Sequence, residues 1–194
     1  MRGLRRLGLA LSLALAAALA HWAGDAAAGQ APLPLEIGGP FALVDHTGRA
    51  VSDETFRGDY LLVFFGYANC PGICPVGLRN MVEALDRLGD DGARVTPLLI
   101  TVDPAHDTAA NLAAAVGKIH PRLIGLTGTP EQLRAARTAY RVDAKPVGRS
   151  WRGVELFSHG TFIYLMGPDG KFLSLFPPVT PPAALAKAIG GYLS

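Results

Sequence analysis

Both cysteines of the chain lie in FFGYANCPGICPVGLRNM, Phe64 to Met81. Cys70 and Cys74 are separated by three residues, and each is followed by proline. The Cys-x-x-Cys motif of dithiol oxidoreductases has two intervening residues, and a structural zinc site calls for four ligands. Positions four apart in a helix put their Cβ atoms roughly 5–6 Å apart on one face. A disulfide requires about 3.5–4.5 Å. A bridge therefore needs local distortion, with Cys70 in a loop and Cys74 in the first helical turn, and such a bridge reduces more easily than a structural one. A helix N-terminus beside the sulfurs lowers thiol pKa values and favours thiolates. A structural disulfide is the plain alternative. It would close so short a loop that it constrains the unfolded chain very little. The pair therefore reads as reactive or metal-binding.

Two thiolates suit a soft, low-coordinate ion, and Cu(I) fits best. A third ligand would most naturally be an imidazole. Of the five histidines, His21 lies in an N-terminal segment of targeting character, and His46, His106 and His120 read as solvated loop residues. His159, in FSHGTFIYLMGPDG, lies just before the apolar run Phe162–Met166. On position alone it is either a ligand or an incidental loop histidine.

The elements that must position these groups are readable from periodicity. FALVDHTGRAV places a His-Thr-Gly turn between two short apolar runs, an N-terminal β-hairpin. Tyr60–Gly66 is a continuous apolar run, as in a strand buried on both faces. From about Pro75 to Leu88, apolar residues fall at helical spacing. Val95–Asp103 is a second buried strand. Strand, helix and strand in this order make a parallel βαβ unit. Asp107 is the expected N-cap of a helix to about Ile119, and Leu123–Leu126 a short strand. Thr129-Pro130-Glu131-Gln132 has the pattern of a capping box with proline at the first helical position, opening a helix to about Arg141. Residues 143–155 read as a polar loop. Phe162–Met166 and Lys171–Leu175 form a second hairpin around GPDG, and Thr180-Pro181-Pro182 starts a last helix. This order predicts a thioredoxin-like α/β domain with a central mixed sheet flanked by helices.

The chain has 194 residues, of which 49% are apolar, enough for one domain with a proper core. Residues 1–28 carry Arg2, Arg5, Arg6 and Asp25, which account for the whole formal net charge of +2. The remainder is formally neutral, and nothing in it resembles the basic patch of a nucleic-acid footprint. A basic start, the apolar run Leu7–Ala20 and the small residues Ala26–Ala28 are the grammar of a signal peptide, with an uncleaved membrane anchor as the alternative. Residues 29–39 read as a leader, and 40–194 as the domain. The expected location is outside the cytosol, on the periplasmic side of the inner membrane, where free thiols tend to oxidise.

CPGICP (Cys70–Pro75), VDPAHDT (Val102–Thr108), GLTGT (Gly125–Thr129) and SHGTFIYLMGPDGKF (Ser158–Phe172) together resemble the SCO/SenC family in order and spacing, from about Phe41 to the C-terminus. The resemblance implies a thioredoxin-like copper-binding protein that supplies the binuclear copper site of cytochrome c oxidase subunit II, a metallochaperone rather than an enzyme. It implies one copper ion, with Cu(I) favoured over Cu(II), held by Cys70, Cys74 and His159. Asp103 matches an acidic residue near the site, with a role behind the ligands or in partner contact; its plain alternative is a turn residue before Pro104. Expected partners are the oxidase subunit, an exported thiol reductant and another copper chaperone. The rival readings are a thiol-disulfide reductase acting on the oxidase cysteines, and a redox or copper sensor. Two positions depart from the family pattern. Ser158 stands where many members have an acidic residue before the histidine, and Gly72 where an aspartate is frequent. A carboxylate at the first position would fix and activate the imidazole; without it, that task falls to a backbone carbonyl. Met166 reads as core.

Overall fold

The computed structural model describes residues 36–194. The expected signal or anchor segment 1–28, and the leader up to residue 35, lie outside the described residues. Among the described residues no helix is long and apolar enough to cross a membrane.

The architecture is a thioredoxin-like mixed sheet flanked by helices. Strand β3 (Tyr60–Gly66) is an interior strand of this seven-stranded sheet, and Leu62, Val63, Phe64 and Phe65 have no exposed surface. Such a strand is stable only if both faces are covered. On one side β3 pairs in parallel with β4 (Val95–Thr101), register Tyr60 to Val95 through Gly66 to Thr101. The connection is helix α1 (Cys74–Arg87), whose buried stripe Leu78, Met81, Val82 and Leu85 follows the helical period. β5 (Ile124–Thr127) continues the parallel part beyond β4. Between them runs α2 (Ala109–Val116), seated on β5: a Cβ on Gly125 would meet Leu112 Cβ at 3.1 Å.

The N-terminal hairpin, β1 (Ala42–Asp45) and β2 (Ala50–Ser52), joins the sheet edge antiparallel to β5. Its turn is organised by Asp45, whose Oδ1 accepts from the Thr47 and Arg49 N–H groups at 2.8 and 3.0 Å. Helix α3 (Pro130–Ala139) has the anticipated capping box, with the Thr129 hydroxyl and the Gln132 side chain each accepting the other's N–H. On the opposite edge, β8 (Ile163–Met166) pairs antiparallel with β3, and β9 (Phe172–Phe176) with β8. Met166 is buried core. Helix α4 (Pro182–Leu193) closes the chain and packs on α1.

Two expectations fail. Residues 143–155 are not a plain loop. Ala144–Arg149 forms β6 and pairs antiparallel with β7 (Glu155–His159) in a separate two-stranded sheet with a bulge between Pro146 and Gly148. The hairpin is largely exposed, so it lacks the alternating apolar pattern that marks a half-buried strand. Asp107 is not a helix cap. Thr108 occupies that position and accepts the Asn111 N–H at 3.2 Å, while Asp107 is buried.

Candidate metal centre

Cys74 is the first residue of α1 and is 1% exposed; Cys70 sits half-buried in the preceding loop. Both are free thiols. The loop reaches this position because β3 ends in Gly66. A Cβ there would lie 3.2 Å from Cys74 Sγ and 2.9 Å from the Phe64 ring, so any larger residue would push the sulfur away. The loop is tied down behind the cysteines by Asp107. Its Oδ2 accepts from the Ala68 N–H at 3.0 Å and from the Thr101 hydroxyl at 2.6 Å. Burial raises the Asp107 pKa, opposed by these same hydrogen bonds.

The two sulfurs are electrostatically unlike. The hydrogen bond from the Cys74 thiol holds Cys70 down to about 5, with help from backbone N–H groups and the Tyr67 hydroxyl and against its partial burial. The same hydrogen bond, with burial added, pushes Cys74 up. Cys70 is thus the thiolate of the pair and Cys74 the proton holder.

His159 ends β7. Its Nε2 lies 3.9 Å from Cys74 Sγ, across 85 residues of sequence. Its Nδ1 lies 3.0 Å from the Gly160 carbonyl. A carbonyl only accepts, so Nδ1 carries the proton and the Nε2 lone pair faces the sulfurs. The Cys74 proton goes to the Cys70 thiolate, the stronger acceptor, which leaves that lone pair open to a cation. The backbone carbonyl thus does what an acidic residue at 158 would otherwise do. Cys70, Cys74 and His159 do not all lie within 4.8 Å of one another, so closing them on one ion requires a small adjustment of the site.

Tyr67 belongs to this centre, although nothing in the motif reading singled it out. It is buried, stacks edge-on with Phe157 (5.3 Å between ring centroids) and His159 (6.2 Å), and helps depress Cys70. Burial, followed by the nearby Cys70 charge, pushes its own hydroxyl up to about 12. The available signal was its place directly after the buried strand, three residues before the first cysteine. Asp103 is buried with its carboxylate 2.9 Å from His106 Nδ1; among the described residues it makes no hydrogen bond to Cys70, Cys74 or His159. His46 and His120 are not idle loop residues either. His46 Nδ1 accepts the Gly125 N–H, and His120 bridges Asp86 and the Arg122 N–H.

The family model described as SCO1/SenC matches residues 29–194. SenC of Rhodobacter capsulatus is 39% identical over 158 residues, 81% of this chain and 71% of that one. The human mitochondrial protein SCO1 homolog is 38% identical over 142 residues, 72% of this chain and 47% of its own length. The chain thus spans about half the length of that curated mitochondrial relative. The solved structure of Bradyrhizobium japonicum ScoI with copper bound superimposes with a TM-score of 0.74 at 39% identity, covering 80% of this chain and 99% of that one.

Proposed function

The chain belongs to the SCO1/SenC family, and from that premise we propose that it is a copper carrier acting in cytochrome c oxidase assembly, with Cys70, Cys74 and His159 as the ligands of one copper ion. The observation that carries this reading is the 3.9 Å approach of His159 Nε2 to Cys74 Sγ, with Nδ1 engaged by a carbonyl. Two sulfurs and one imidazole suit Cu(I), and the low ligand number keeps the ion open to a partner's thiols. B. japonicum ScoI is a copper-bound relative, and Sco proteins form a family of cytochrome c oxidase assembly proteins. The binuclear site of subunit II is the proposed recipient, and the oxidising side of a membrane the proposed location. Oxidation to a Cys70–Cys74 disulfide removes two electrons and both thiolate ligands, so the soft site is lost. An exported thiol reductant and an upstream copper chaperone complete the cycle.

The depressed pKa of Cys70 also suits a thiol-disulfide reductase, in which Cys70 attacks and Cys74 resolves. His159 separates the two readings. Copper content and X-ray absorption of the reduced protein should show sulfur and nitrogen ligation, lost on replacing any of the three residues. If His159→Ala leaves copper ligation intact while abolishing delivery, the carrier site is misassigned.

A further inference from the structure

Asp103, His106 and Glu155 bring one ligand atom each within 4.8 Å of one another, a grouping the dithiol chemistry does not use. We propose that these three residues form a second cation site, for a borderline divalent ion of the Zn(II) class, distinct from the thiolate pair. Asp103 and His106 come from the turn after β4, and Glu155 opens β7. Asp103 is 5% exposed, its N–H held by the Thr101 hydroxyl at 2.9 Å, and both its carboxylate oxygens lie 2.9 Å from His106 Nδ1. The fixed member of the set is therefore the buried carboxylate. His106 has a side chain 54% exposed. The Glu155 carboxylate has no hydrogen bond or ion pair among the described residues, although Arg149 is its cross-strand neighbour. A protonated His106 faces both carboxylates but sets one positive charge against two. A divalent ion answers both carboxylates and a neutral imidazole, with zero net charge.

The donor set fixes the class of ion. One nitrogen and two oxygens, with no sulfur, disfavour Cu(I) and suit Zn(II), whose bonds to such ligands are about 2.0–2.2 Å long. Reaching those lengths asks the two outer side chains, His106 and Glu155, to close on the buried one. An ion here ties the turn after β4 to β7, the strand that ends in His159. The site does not depend on whether the dithiol holds copper.

The test is calorimetric titration of Zn(II) into the full chain carrying Cys70→Ser and Cys74→Ser, with circular dichroism verifying the fold. One equivalent should bind. His106→Ala and Glu155→Gln should each weaken it at least tenfold, whereas His159→Ala in the same background should not. Binding that follows His159 instead, binding indifferent to His106 and Glu155, or no binding at all overturns the site. Should the serine variant not fold, Mn(II) is titrated into the reduced protein and followed by water-proton relaxation. Thiolates compete poorly for Mn(II), and the same substitutions decide in the same way.

Discussion

Cys70 and Cys74 are four positions apart yet chemically unequal, because one S–H serves the other sulfur and burial falls mainly on the donor. Cys70 should therefore be alkylated by iodoacetamide at a rate nearly flat across about pH 6.5 to 8.5, where an ordinary thiol still gains reactivity. Cys74 should stay unmodified, and peptide mass spectrometry reads both. A steep rise in Cys70 labelling over that range would remove the basis for the asymmetry. The pKa of Cys70 also has a consequence for stability. Its folded value of about 5 lies below the ordinary 9.0. A thiol shifted this way stabilises the fold above its unfolded pKa, and that contribution drains away as pH falls from 9.0 towards 5. Cys74 acts in the opposite sense, its contribution present below 9.0 and lost above it as the pH climbs towards its raised folded value. Urea unfolding of the reduced protein should thus show stability rising with pH between those limits, with the slope reduced by Cys70→Ser. The proposed ligands themselves were legible as residue types. The imidazole nitrogen that faces the sulfurs was not, because the Gly160 carbonyl that decides it is a backbone group with no sequence signature.

The elements divide according to how much apolar pattern they carry. β3, α1 and β4 were readable almost to the residue, since a buried strand and an amphipathic helix write their burial into the chain. β6 and β7 were not: they are half-exposed, hold each other by backbone hydrogen bonds, and read as polar loop. Yet β7 is the element that delivers His159. Asp107 was misread for a related reason. An aspartate before a helix looks like a cap, and only the tertiary structure shows it turned inward to hold the cysteine loop. Replacing it by alanine leaves the Ala68 N–H without its acceptor, a loss of about 1–3 kcal/mol. Asp107→Ala should lower the urea midpoint accordingly and, by releasing the loop, speed the loss of copper to a competing chelator. Asp107→Asn keeps an oxygen acceptor for the same N–H and should recover most of both. If the alanine variant loses stability but retains copper as long as the unaltered protein, the loop does not depend on this anchor.

At the scale of the molecule, the proposed ion joins parts that the chain keeps far apart. Cys74 opens α1 against the end of β3, Cys70 lies in the loop before it, and His159 ends an outlying hairpin that is not hydrogen-bonded into the main sheet. An ion bound only by the folded arrangement stabilises it by RT ln(1 + [L]/Kd), about 2.7 kcal/mol at a free concentration one hundred times Kd. For a domain of this size each kcal/mol raises Tm by about 2–4 °C, so Cu(I) buffered at that level should raise the reduced protein's Tm by roughly 5–11 °C. The disulfide form has lost both thiolates and should not respond. His159→Ala retains the sulfurs, so it should keep only the smaller shift that two-point ligation allows. Calorimetric scans of the reduced, disulfide and His159→Ala forms, each with and without Cu(I), separate these outcomes, because a dithiol working alone would give the unaltered and the His159→Ala proteins the same rise. Equal shifts would mean that the hairpin takes no part in holding the ion and that the three-ligand centre is wrong.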